Sequence, residues 1–333
     1  MKSFVTSVML AAGMAILSGT VALPQTGGQA QSGETGQDNQ SGDEGQSGDQ
    51  GESGETGQTG DQGQSGEEGQ SGELGQNGDS GSAQDVNAVS AASFSNKALA
   101  PASLATLFGK DLTDRVESAS QQPWPVSLAG ISVELRPVGN SGAPSYQAPL
   151  AFASPTQVNF LIPTDIPDGK VEISVIGANG HKLKGVSRIE RLAPGLFHAG
   201  SDLQGFAAAV LIRVHADGTQ TREPLVRFDP KSSSVQPVPI RFTSHSERLF
   251  LELYGTGLRN SVTASVTVRI HDQNAPVRFA GPHPTMPGLD QVDVELPSSL
   301  SGTKEGRVQM LINKKTGTLS ANEVKLIFDN SLR

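Results

Sequence analysis

Eight short stretches of this chain alternate apolar and polar residues with a period of two. Three are Ile131/Val133/Leu135, Val158/Phe160/Ile162 and Val171/Ile173/Val175. The other five are Leu249/Leu251/Leu253, Val266/Val268/Ile270, Val292/Val294/Leu296, Val308/Met310/Ile312 and Val324/Leu326/Phe328. A period of two sends successive side chains to opposite faces, so each run predicts a strand with one buried and one wet face. No stretch sustains a helical period. Short strands separated by turn residues predict an all-β protein built of immunoglobulin-like β-sandwiches. Glu134, Glu172, Asp293 and Glu295 fall on the polar side of the alternation and are expected to face water.

The runs also repeat as a set. Leu107-Phe108-Gly109-Lys110-Asp111-Leu112 parallels Leu253-Tyr254-Gly255-Thr256-Gly257-Leu258. Gln157-Val158-Asn159-Phe160 with Pro163 parallels Gln291-Val292-Asp293-Val294 with Pro297, and Asp168-Gly169-Lys170-Val171 parallels Glu305-Gly306-Arg307-Val308. Order is kept while loop lengths differ, so two tandem copies of one sandwich are expected, at 86–197 and 198–333. In each copy a Gly-x-x-Leu turn bends the chain and returns Leu112 or Leu258 to the core. Pro163 and Pro297 end their strands because proline cannot donate to a ladder.

A family resemblance runs through the same residues. It opens with Val89-Ser90-Ala91-Ala92-Ser93-Phe94, Leu99-Ala100-Pro101-Ala102-Ser103-Leu104 and Phe108-Gly109, and continues in 153–163 and Ala193-Pro194-Gly195-Leu196-Phe197. Tyr254-Gly255-Thr256-Gly257-Leu258, Ala275-Pro276-Val277, Phe279-Ala280-Gly281 and Gln291-Val292-Asp293-Val294 close it. The chain resembles the Solibacter-type uncharacterised C-terminal domain family of acidobacterial exported proteins. Its Gly-Thr-Gly-Leu turn is similar to the IPT/TIG branch of immunoglobulin-like folds. The resemblance implies the fold and export, and no activity. A longer, more charged 222–248 region and a 284–289 loop short of aromatic residues depart from it.

The N-terminus reads as a secretory signal over residues 1–22. Lys2 supplies a positive start, Phe4 to Leu17 an apolar stretch, and Thr20-Val21-Ala22 the small residues of a cleavage site. The apolar stretch is shorter than the roughly 20 residues of a spanning helix, so no transmembrane span is expected after cleavage. An extracellular, cell-surface or periplasmic location follows. The chain has no cysteine, so its sandwiches must hold by their cores alone.

Residues 23–85 form an acidic tether. Glycine recurs at every third position from Gly33 to Gly81, broken once at Asn39. A collagen triple helix needs that period, because only glycine fits its axis. It also needs chains biased toward polyproline II, and no proline lies between Pro24 and Pro101. Thirteen acidic residues and no Lys or Arg fall between Pro24 and Val86. A disordered, self-repelling spacer is therefore expected, and a trimer only if the tether forms a triple helix. From Val86 onward 24 Lys and Arg face 21 acidic residues. Without a basic stripe, nucleic acid is not an expected partner.

No reactive constellation is legible. The histidines at 181, 198, 215, 245, 271 and 283 form neither His-x-His nor His-Glu-x-x-His, and no Gly-x-Ser-x-Gly elbow occurs after the tether. No catalytic residue, cofactor or metal site is expected. Two features suit a contact surface. Trp124, framed by Pro123 and Pro125, is the one tryptophan and has a ring suited to stacking or anchoring. Arg213, Arg222, Arg227, Lys231, Arg241 and Arg248 make a locally basic stretch. Of these, Arg222, Arg227 and Arg241 are candidate contacts to an anionic envelope polymer or to the tether. The expected function is that of an exported, non-enzymatic surface or extracellular protein for binding, adhesion or a structural role. Its partner would be an extracellular or envelope protein or a glycan. Alternatives are a carbohydrate-binding or polysaccharide-accessory module and an unrecognised hydrolase, since fold alone forbids no chemistry.

Overall fold

The apolar members of all eight alternating runs are buried, none more than 6% exposed. The computed structural model describes residues 85–329, except 140–141, 178–179, 201–204, 233 and 245. The segments expected to be a signal peptide and a tether, up to residue 84, lie outside the described residues.

The first sandwich contains β1 (Asn87–Ser90), β2 (Leu104–Phe108), β3 (Glu117–Ser118), β4 (Ser127–Leu128), β5 (Ile131–Pro137), β6 (Tyr146–Gln147), β7 (Leu150–Ala153), β8 (Gln157–Leu161), β9 (Gly169–Gly177) and β10 (Lys182–Ile189). The second contains β11 (Gly195–Leu196), β12 (Ala209–Val214), β13 (Gln220–Pro224), β14 (Val226–Asp229), β15 (Ser234–Pro237), β16 (Arg248–Thr256) and β17 (Val266–Ile270). It continues with β18 (Gln273–Ala275), β19 (Val277–Pro282), β20 (Asp290–Glu295), β21 (Glu305–Lys314), β22 (Gly317–Ser320) and β23 (Val324–Ile327). All named strand pairs are antiparallel.

The sheet orders carry the duplication. The run β1-β2-β8-β7 has the same pattern as β12-β16-β20-β19, and β10-β9-β5 the same as β22-β21-β17, with β6 on β5 matching β18 on β17. The repeated turn adopts a left-handed backbone in both copies, with Asp111 at φ 53° and Gly257 at φ 78°. Leu112 and Leu258 both return to a core, at 4% and 0% exposure. Hairpin β14–β15 is an addition to the second sandwich with no counterpart strand pair in the first. The strands Gly195–Leu196 and β16 pair, and Leu196 lies in the second core. The second sandwich therefore begins a few residues ahead of 198.

The polar side of the alternation is drier than expected. Asn159 and Thr106 are fully buried, the Thr106 hydroxyl donating to Asn159 Oδ1 at 2.9 Å. Glu134 and Glu295 keep 11% and 21% side-chain exposure, because Arg136 and Lys182 lie over the first and Arg248 and Arg278 over the second. Asp293 is half-buried. Ionic partners, on the same strand or across the sheet, cover Glu134 and Glu295.

The chain joins the first sandwich against its β10 edge. The backbone N–H groups of Asp85 and Val86 donate to the Lys184 carbonyl at 2.9 and 3.3 Å, and Lys184 N–H donates back to Asp85 Oδ2 at 3.1 Å.

Candidate functional site

The outer face of the β13-β12-β16-β20-β19 sheet presents residues that a core-forming alternation leaves over. Register aligns Pro224, Val210, Glu252, Asp293 and Phe279 in one row across the five strands. The next row holds Tyr254, Gln291 and Gly281. Glu252 and Asp293 therefore stand directly opposite each other, a like-charged cross-strand pair that costs stability.

A network answers one member of that pair. Glu252 is 6% exposed and accepts from the Tyr254 hydroxyl at 2.7 Å and from Arg222 at 2.8 Å. Asp293 accepts from Gln291 at 2.9 Å. Burial raises the Asp293 carboxyl above the usual range, and the Glu252 charge adds to this. Burial also raises Tyr254, with Glu252 reinforcing the shift. His283, whose ring is tilted at 6.0 Å from that of Tyr254, is lowered by burial against the pull of Glu252. Phe279, 37% exposed, borders the acidic pair. The open part of this face offers carboxylate and amide acceptors beside an aromatic ring, a surface for a ligand that donates hydrogen bonds.

The upper part of the face is closed by the first sandwich. Ala91, Ala92, Leu104 and Ala151 form one buried cluster with Ala208, Val210, Tyr254 and Leu289. A polar clamp crosses the same boundary. The Thr256 hydroxyl, 1% exposed as a residue, donates to the Gly288 carbonyl at 2.6 Å and accepts from Leu104 N–H at 2.8 Å. Gly288 has φ +75°, and a Cβ there would meet Leu104 and Leu161 side-chain atoms at 2.7 Å. Thr256→Val is nearly isosteric and removes both bonds. It is expected to cost about 1–3 kcal/mol for each orphaned buried group. Urea unfolding checks this, with Thr256→Ser restoring most of the loss.

The structure brings two of the four sequence-stated candidates to this junction. Trp124 is half-buried in the loop ahead of β4 and packs against the junction cluster. Arg222 bonds Glu252 within the network above. Arg227 stands exposed on β14, in electrostatic reach of Asp229. Arg241 lies apart, paired with Asp329 at 2.7 Å. Of the rest of the basic stretch, Arg213 pairs with Glu223 and Glu247, and Arg248 with Glu295. Most of these cations are thus answered by carboxylates distant in sequence. Glu252 was not singled out by sequence. Its signal was a lone carboxylate between Phe250 and Tyr254 on the off-core positions of a Leu249/Leu251/Leu253 strand. His245 lies outside the described residues. Among the described residues no group of three or more His, Asp and Glu side chains is arranged to hold a metal ion.

Residues 25–85 match the collagen triple helix repeat, in 20 copies. No curated protein matches the chain. Among solved structures, the chain is similar to the Bacteroides ovatus mixed-linkage glucan utilization locus protein SGBP-B in complex with a mixed-linkage heptasaccharide. The identity is 11% and the TM-score 0.28, over 70% of this chain. The chain spans 43% of the length of that protein.

Proposed function

We propose that this chain is an exported, non-enzymatic surface or extracellular protein, with its acidic Gly-x-y stretch serving as a spacer for a two-sandwich head that binds a partner. What carries this reading is the junction. An apolar cluster and the Thr256 clamp fix the two sandwiches together, so the head offers one composite surface instead of two independent modules. The face beside that junction holds Asp293, Gln291 and Phe279 open to a ligand. The signal-like N-terminus and the Solibacter-type and IPT/TIG-like resemblance agree with export and an immunoglobulin-like head.

Fractionation and pull-down test the reading together. The protein is expected outside the cytoplasm with a new N-terminus near Leu23, and a crosslinked partner is expected to be lost in Phe279→Ala/Asp293→Asn. An unprocessed cytoplasmic chain overturns export, and capture unchanged by the double variant overturns the face. A carbohydrate-handling role is the second reading, and it draws on a different part of the head.

A further inference from the structure

The opposite end of the second sandwich carries a cleft of about 720 Å³. It is framed by the start of β16, the end of β20, the β18–β19 corner and the Ser298–Leu300 turn. Arg248 and Thr256 mark the two ends of β16, about 26 Å apart at about 3.3 Å per residue. The cleft therefore lies at the far end of β16 from the Thr256 clamp.

Its wall is fixed from within. Glu247 and Arg213 have side chains only 4% and 7% exposed and meet at 2.7 Å. Glu247 also accepts from Thr243 N–H, from the Thr243 hydroxyl at 2.8 Å and from Ser244 N–H at 3.2 Å. Arg213 donates further to the Arg241 carbonyl at 3.0 Å. These bonds tie Arg241, Thr243 and Ser244 to the Arg213–Glu247 pair before any ligand arrives, which lowers the ordering cost of binding.

The charges at the cleft are already engaged. Glu247 is answered by Arg213, and Glu295 by Arg248 at 2.9 Å and by Arg278. An anion would have to displace Glu295 from two guanidinium groups, and a cation would meet carboxylates already bonded. The Asn274 amide and the Ser298 hydroxyl line the cleft from exposed positions, above apolar surface from Phe242, Leu249 and Pro297. Amide and hydroxyl groups pair with either donors or acceptors, and the volume lies within the roughly 300–1,000 Å³ of small-molecule sites.

We propose that this cleft binds a neutral polyhydroxylated ligand, the end of an oligosaccharide chain. The amide and hydroxyls meet the sugar hydroxyls, and the apolar floor meets the C–H face of a ring. The site does not depend on the junction face or on the tether.

Calorimetry of the full exported chain tests it with gluco-, manno- and N-acetylglucosamine-based neutral tetrasaccharides, and with tetragalacturonate as the acidic counterpart. At least one neutral tetrasaccharide is expected to bind. Asn274→Ala/Ser298→Ala should weaken that binding about tenfold or more, the size of two lost hydrogen bonds. Both positions are exposed, so the melting temperature should stay unchanged and separate ligand loss from unfolding. Absence of neutral-sugar binding, preference for the acidic tetrasaccharide, or binding insensitive to the double variant each overturns the proposal. Binding abolished instead by Asp293→Asn would move the sugar to the junction face and overturn it too.

Discussion

Replacing Asp290 by alanine is expected to cost about 3–5 kcal/mol of folding stability, the scale of a buried ion pair broken from one side. Asp290 is fully buried at the start of β20. It accepts from the backbone N–H groups of Leu258 and Arg259 at 2.8 and 3.1 Å, and from Arg259 Nε at 2.8 Å. Alanine leaves those backbone groups without their acceptor, and leaves Arg259, 17% exposed, with the Leu289 carbonyl. The effect should depend on pH. Burial is the larger influence on Asp290 and pushes its carboxyl up to about 6, ahead of the lowering by Arg259. A group raised in the folded state contributes stability that is full below its unfolded value of about 3.9 and lost as pH rises through the folded value. The gap between wild type and Asp290→Ala should therefore be wider at pH 5 than at pH 8. Urea unfolding at both pH values reads it, and a cost under about 1 kcal/mol at both would place the variant among ordinary surface changes.

Glu247→Ala should cost about 3 kcal/mol, the lower end for a broken buried pair, because Arg213 keeps Glu223 as a partner at 2.7 Å. Burial raises the Glu247 carboxyl, but the bonds from Arg213 and Thr243 outweigh it and hold the group below the usual range. Its contribution is thus present at neutral pH and fades as pH falls through that lowered value. The loss should be local as well as global. Amide exchange at Thr243 and Ser244 is expected to accelerate more than that of the β16–β20 ladder. Uniform acceleration would mean that the pair supports the whole sandwich and not the loop.

The strands were legible because burial of one face imposes a period that survives any loop length. The duplication was legible for the same reason, together with a turn whose left-handed position recurs as Asp111 and Gly257. The two copies nevertheless satisfy that turn differently. Leu112 N–H donates to the Pro155 carbonyl, whereas Leu258 N–H donates to the Asp290 carboxylate. Nothing in the periodicity announces this, because a buried Asp at a strand start looks like a turn residue. The pairing of the basic stretch was hidden for a related reason. Charges read along the sequence show composition, while Arg213–Glu247 and Arg241–Asp329 are made by sheet register and chain return. Trp124 was notable by type, but the cluster it packs against is assembled from segments as far apart as Ala91 and Leu289, which no local pattern encodes.

The way the chain meets β10 has a consequence for crowding. β10 is the outer strand of its sheet, and such a strand offers free backbone groups to any neighbouring copy. Here Asp85 and Val86 occupy Lys184, and Leu99 N–H takes the Arg188 carbonyl further along. Gly185 lets the backbone pass close, since a Cβ would stand 2.3 Å from the Val86 carbonyl. The segment that leads out of the tether thus acts as a stopper on this edge strand. Where many heads gather at high local density, sheet then cannot grow from one into the next across the Lys184 end of this strand.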